Sequence, residues 1–227
     1  MKTYKIKSQK DLEKFKDEYG YYINGNAEFE YSAEFPGRLL VGGYLYIGAG
    51  SYIEAGGYIK AGESIEAGSS IEAGGYIEAG GSIEAGTYIE AGSSIEAGGY
   101  IKAGESIEAG GYIKAGESIE AGGYIEAGGS IEAGESIEAG TFSGITAGLQ
   151  ITCKGTLSFG LKAYAGICAW RAISDEEKII TCSKLVGGGV VEYGILRETG
   201  EVIENDVTEE AIKLLKDKGY KIVKETK

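Results

Sequence analysis

The chain has 227 residues, a formal net charge of −13 and no histidine. That charge repels phosphate backbones and argues against direct nucleic-acid binding, and without an imidazole the usual general base and commonest metal ligand are missing. Forty glycines stand against a single proline, Pro36, and because the glycines are periodic they speak against both disorder and collagen.

Met1 to Lys7 alternates Tyr4 and Ile6 against lysines and predicts a strand. Ser8 then caps a predicted helix, with Asp11 at the reciprocal position, Leu12, Phe15 and Tyr19 as its apolar stripe and Gly20 as its stop. Tyr21 to Tyr31 returns as extended chain through a turn at Asn24-Gly25. Residues 1–40 therefore predict a small α/β cap, ending near Phe35-Pro36-Gly37, that would cover an unpaired strand edge. Charged residues fill Met1 to Lys7 and Lys10 to Glu18, so no signal-peptide core is expected there. No apolar run is long enough for a bilayer. A soluble, cytoplasmic protein with no membrane partner is the expectation.

One six-residue phrase then repeats almost without interruption. Isoleucine returns at every sixth position from Ile47 to Ile137, alanine follows two residues later from Ala49 to Ala139, and a glycine follows each alanine. Val41, six before Ile47, is expected to be the first core position in register. In Tyr52-Ile53-Glu54-Ala55-Gly56-Gly57, period-two alternation sends Ile and Ala to one face, and Tyr or Ser and Glu or Lys to the other. A six-residue spacing cannot keep one stripe on a helix. Each phrase thus predicts a short strand plus a corner whose glycines suit φ above zero. Stacked copies bury a continuous Ile/Ala core that one copy cannot make alone.

Two rungs are compatible with this period: three phrases give a triangular eighteen-residue coil, two give a flat twelve-residue one. The flat form has support in a register of twelve. Tyr52, Tyr76, Tyr88, Tyr100, Tyr112 and Tyr124 share one half of it, whereas Ser70, Ser82, Ser94, Ser106, Ser118 and Ser130 share the other. On a flat rung this would make a tyrosine face and a serine face. The three-sided form resembles the hexapeptide-repeat and bactofilin-like parallel β-helices over roughly residues 41–150, although here the small residue follows the aliphatic one instead of preceding it. The expected fold class is mainly β, a parallel β-helix (β-solenoid) of hexapeptide repeats over residues 41–150, with irregular terminal coils and a C-terminal α/β cap over 151–227.

Beyond Gly140 the rhythm changes, since Thr141-Phe142-Ser143-Gly144-Ile145 inserts two residues. Leu149 to Cys153, Leu157 to Phe159 and Ile167 to Trp170 predict degenerate coils, and Lys178 to Leu185 and Val190 to Leu196 predict strands around Gly187-Gly188-Gly189. Thr208 caps a last predicted helix carrying Ala211, Ile212 and Leu215, ended by Gly219, and Tyr220 to Val223 reads as a further strand. The three cysteines, Cys153, Cys168 and Cys182, read as reduced core thiols. With no histidine and no Cys-x-x-Cys, neither a metal site nor any other cofactor is expected.

From Ser51 to Gly140 there are 16 glutamates, no aspartate and three lysines (Lys60, Lys102, Lys114), so this stretch alone carries −13 and the remainder is neutral. The hexapeptide-repeat resemblance implies an acyltransferase, but that family is usually served by a histidine base, so no enzyme is expected and no catalytic residue is assigned. Gly48-Ala49-Gly50 and similar fragments do not open a helix and lack the lysine of a phosphate loop. Carboxylates a strand spacing apart repel by about 1 kcal/mol per neighbouring pair or less, a cost that a purely solubilising surface could avoid by mixing signs. The expected binding surface is therefore acidic, built by Glu54, Glu66, Glu72, Glu78, Glu84, Glu90, Glu96, Glu108, Glu120, Glu126 and Glu132, with Tyr52, Tyr76, Tyr88, Tyr100, Tyr112 and Tyr124 as its aromatic part. In shape and charge, not in motif, the chain is similar to acidic pentapeptide-repeat solenoids that act as nucleic-acid mimics. That similarity implies a protein-binding inhibitor, of a phage or mobile-element anti-defence type, directed at the basic groove of a nucleic-acid-binding protein. The alternative is a structural scaffold, bactofilin-like or part of a phage particle, which would form homo-oligomers.

Overall fold

The structure is a computed structural model that describes residues 1–203 and 221–223. It is a three-sided parallel β-solenoid. Sheet I has ten strands, from Thr3–Ile6 to Lys184–Val186; sheet II has ten, from Gly20–Ile23 to Ile195–Glu198; sheet III has nine, from Ala33–Phe35 to Val190–Tyr193. In the regular region each strand pairs with the one eighteen residues on, as Ile53 with Ile71 and Ile71 with Ile89. Three phrases therefore make one coil, and the flat twelve-residue rung is ruled out.

The inward residues are those expected. Ile53, Ile59, Ile71, Ile77 and their successors to Ile137 are fully buried, with each alanine beside them almost so. Burying one such isoleucine contributes roughly 1.5–3 kcal/mol. Strand backbones bond only to neighbouring coils, as in Ile71 N–H to Tyr88 O at 3.1 Å and Gly74 N–H to Ala55 O at 2.9 Å.

The corner glycines are needed for a different reason from the one the sequence suggests. None in the regular repeat has a left-handed φ; in that region the nearest is Gly50, at φ 71, in the wider corner before Ile53. Instead, a Cβ on Gly74, Gly92 or Gly98 would lie 2.2–2.4 Å from the carbonyl oxygen of the glycine directly below. At this first corner position the stacked coils come too close for any side chain, whereas the second position carries Glu63, Ser69 or Thr87 in other phrases.

That wider corner also shifts the register. Leu45 pairs with Ile65 and Ile47 with Ala67, just as Leu39 pairs with Ile59 and Val41 with Ala61. Val41 and Ile47 are buried core residues, but they hold the alanine position rather than the isoleucine position. The same alternation continues toward the N-terminus through Ala33/Phe35 and Ala27/Phe29. Strands from Thr3 to Val41 thus lie in the same three sheets as the repeat.

The predicted N-terminal helix is shorter than expected, an α-turn over Gln9–Leu12 followed by a 3-10 turn over Glu13–Phe15. The Ser8 side chain makes no capping bond to the backbone; its Oγ donates to Asp11 Oδ2, which also accepts from Lys7 N–H. Leu12 is buried and Phe15 packs edge-on against Tyr4 at 5.0 Å. Tyr19 is 64% exposed and no part of that stripe, because Asp17 closes a tight turn by accepting from Tyr19 N–H and donating its own N–H to Gly20 O. Gly20 consequently begins a strand instead of ending a helix.

Past Gly140 the two inserted residues bulge outward, with Phe142 89% exposed, and the six-residue alternation then resumes through Ile145/Ala147, Ile151/Cys153, Leu157/Phe159 and Ala163/Ala165. Ile167 to Trp170 is not a strand, and Trp170 is 65% exposed. Cys153 and Cys182 are buried free thiols, which burial pushes up to about 12 and about 11 respectively. The helix expected over 208–219 lies outside the described residues, whereas Lys221–Val223 does form a strand, parallel to Glu201–Ile203. Among the described residues, no helix is long and apolar enough to cross a membrane.

Candidate acidic interface

The third site of each phrase, Glu or Lys, points outward, and the eighteen-residue coil deals these sites to three faces in turn. Sheet III receives Glu54, Glu72, Glu90, Glu108 and Glu126, preceded by Glu34, in one uninterrupted rank. Sheet I receives Glu66, Glu84, Lys102, Glu120 and Glu138. Sheet II receives Lys60, Glu78, Glu96, Lys114 and Glu132. The lysines of sheets I and II are each paired with the glutamate one coil later: Lys60 with Glu78 at 2.6 Å, Lys102 with Glu120 at 3.0 Å and Lys114 with Glu132 at 3.7 Å.

The three faces therefore differ in electrostatics although the sequence phrase hardly varies. On sheet III, partial burial and the flanking Glu108 and Glu72 carboxylates hold the Glu90 carboxyl above its ordinary value. On the other two faces, the Glu78 and Glu120 carboxylates hold the Lys60 and Lys102 ammoniums above theirs. Glu34 escaped sequence reading because Phe35 replaces alanine beside it. Its signal was the alternation Ala33-Glu34-Phe35 in the six-residue frame.

The six tyrosines do not make one surface. Tyr52, Tyr88 and Tyr124 lie on sheet III, Tyr76 and Tyr112 on sheet II, and Tyr100 on sheet I. A twelve-residue copying unit wound on an eighteen-residue coil cannot keep one residue type on one face. Its effect is local, since Tyr88, Tyr100, Tyr112 and Tyr124 each stand over a serine of the preceding coil. Their hydroxyls reach past it to donate to Glu72, Glu84, Glu96 and Glu108, sixteen residues back. Each of these phenols is held above its ordinary pKa, chiefly by that hydrogen bond. Where tyrosine stands over tyrosine the rings stack instead, Tyr58 and Tyr76 at 4.5 Å and 9°. Tyr58 was another residue that sequence reasoning passed over.

The charge can be set on an absolute scale. Residues 51–140 carry a net −13 and fill five coils of eighteen. At a strand spacing of ~4.8 Å those coils span ~24 Å, or about one net charge per 1.8 Å of axis. B-DNA carries about one per 1.7 Å.

Compared with protein-family models, curated proteins and solved structures, the chain matches none of them.

Proposed function

We propose that this solenoid is a non-catalytic polyanion that binds a basic groove of a nucleic-acid-binding protein in place of its nucleic acid. The observation that supports the reading is the linear charge density of the five coils over residues 51–140, which equals that of duplex DNA to within about a tenth. It is borne by a rod whose backbone is fixed by coil-to-coil hydrogen bonds. A partner's lysines and arginines would release counterions condensed on the rod much as they do on DNA. Sheet III is the principal contact face, since its carboxylates have no lysine among them, whereas sheets I and II spend part of their charge on internal pairs.

A competition experiment tests this. The immobilised chain is loaded with proteins eluted from a duplex-DNA column, then washed with free duplex DNA. Retention that free DNA displaces, and that disappears when Glu54, Glu90 and Glu126 are changed to Gln, supports the proposal. No retention, or retention that free DNA leaves in place, would overturn it.

A further inference from the structure

Five of the six tyrosines reach a carboxylate of the coil below and the sixth, Tyr76, stacks on Tyr58 there, and what lies above them is set by the residue one coil later. Where that residue is serine or glycine, no ring covers the tyrosine from above, and at Tyr76 and Tyr124 a slot opens there. Tyrosines two coils apart bracket Ser70 (Tyr52 and Tyr88), Ser94 (Tyr76 and Tyr112) and Ser106 (Tyr88 and Tyr124), and two places with a tyrosine on each side open into a cavity. On sheet II, Tyr76 and Tyr112 bracket Ser94, with Glu78 and Glu96 at the rim of a cavity of about 350 Å³. On sheet III, Tyr124 and Tyr164 bracket Gly144 and Thr146 beside Glu126, around a shallow, open depression of about 420 Å³. In each the bracketing strands stand two coils apart, roughly 9.6 Å at the usual strand spacing.

We infer that these two slots receive arginine side chains of a basic protein partner; the inference rests on the acidic-surface reading above and adds a residue preference to it. The walls are aromatic and the rim is carboxylate. A guanidinium is planar and weakly hydrated, so it can lie on a ring and fork onto a carboxylate together, whereas an ammonium keeps its water and gains little from a slot. At the first slot the rim carboxylates already have partners within the chain, Glu78 with Lys60 at 2.6 Å and Glu96 accepting from the Tyr112 hydroxyl at 2.8 Å, so an entering guanidinium must share them; at the second, Lys162, whose stem helps line the slot, reaches Glu192 at 3.2 Å, away from Glu126. Tyr76 already lies flat on Tyr58, so its other face is the one turned toward Ser94.

The test compares fluorescent tetra-arginine and tetra-lysine peptides by anisotropy in 50 mM NaCl, on the native chain and on a variant carrying Ser94→Tyr and Tyr164→Ala. Tyrosine at 94 repeats a stack the molecule already contains and leaves the charge unchanged. The native chain should prefer arginine by about fivefold or more. In the variant that preference should fall to within about twofold while lysine affinity is unchanged. Equal affinities on the native chain, or a preference that survives in the variant, would overturn the slots and leave the acidic surface standing. Failure of both peptides to bind would overturn the slots and the acidic surface together. A second measurement needs no variant: ethylguanidinium should shift the ring resonances of Tyr76 and Tyr112 in the native protein more than ethylammonium does. Equal shifts, or none, count against the slots.

Discussion

Alanine at Gly74 and alanine at Gly75 should have very different consequences, although the two residues share one corner. A Cβ at Gly74 would stand 2.4 Å from Gly56 O, a backbone atom that cannot turn aside, while at Gly75 the nearest atom is Gly57 O at 3.1 Å. A comfortable carbon–oxygen contact is near 3.4 Å, so Gly74→Ala must open the coil spacing locally by about 1 Å. The bonds Gly74 N–H to Ala55 O (2.9 Å) and Gly75 N–H to Gly57 O (2.7 Å) cross that same gap. Stretching them by as much would forfeit both, about 1 kcal/mol each, on top of ~1–3 kcal/mol for overpacking. The expected total is roughly 3 kcal/mol or more, against less than about 1 kcal/mol for Gly75→Ala, where lost chain entropy in the unfolded state offsets the tight contact. Urea unfolding followed by far-UV circular dichroism gives the comparison, read as a shift of midpoint because a repeat array need not unfold in one step. Equal midpoints for the two alanines would refute the claim that stacked corners, and not a special φ, fix the first glycine of each pair.

Ile95→Ala removes a fully buried side chain from a middle coil and should cost about 2–5 kcal/mol in the same assay; a loss below about 1 kcal/mol would contradict the packed Ile/Ala core. Glu90→Gln should leave the midpoint at pH 7 unchanged or raise it, because the raised carboxyl marks a charge that folding disfavours and whose stability penalty grows as pH rises through the carboxylate range. A lower midpoint would show that the sheet III rank is not repulsive. Tyr88, Tyr100, Tyr112 and Tyr124 should ionise above the ordinary tyrosine range when followed by ultraviolet absorbance. Since their folded pKa values are raised, their share of stability is present below the ordinary value and is lost as pH climbs through the folded one. Ordinary titration of all four would remove the tyrosine–glutamate bonds from the account. Glu72→Lys, Glu84→Lys or Glu96→Lys breaks one of those bonds as well as reversing a charge. Glu54→Lys should therefore weaken partner binding with less change in the unfolding midpoint than any of these three, and an equal loss of midpoint would count against that distinction.

The core was legible because strand alternation and a six-residue period leave isoleucine and alanine one direction to point. Rung length was not, because the twelve-residue rhythm of Tyr and Ser records a copying unit, while pairing obeys the eighteen residues needed to turn three corners. Spacing from Val41 through Ile47 to Ile53 looked continuous at six, yet the corner before Ile53 holds two residues more than its successors, which moved Val41 and Ile47 onto the alanine position. The coils after Gly140 looked irregular because Leu157, Phe159 and Ala163 changed the letters of the phrase without changing its frame. As for the surface, the glutamates named from sequence do face outward, but their division among three faces, with the lysines confined to two of them, follows only once the coil is known. The tyrosine face dissolved for the same reason.

The central claim, that the chain behaves as a polyelectrolyte of DNA-like charge density, is tested most directly by the salt dependence of pentalysine binding. On B-DNA five charges give a slope of about −4.5 in log K against log salt. The short rod should keep a large part of that, with a slope of about −2 or steeper. A slope between zero and about −1 would mean that no counterions are condensed on the solenoid, and its likeness to a nucleic acid would end at arithmetic.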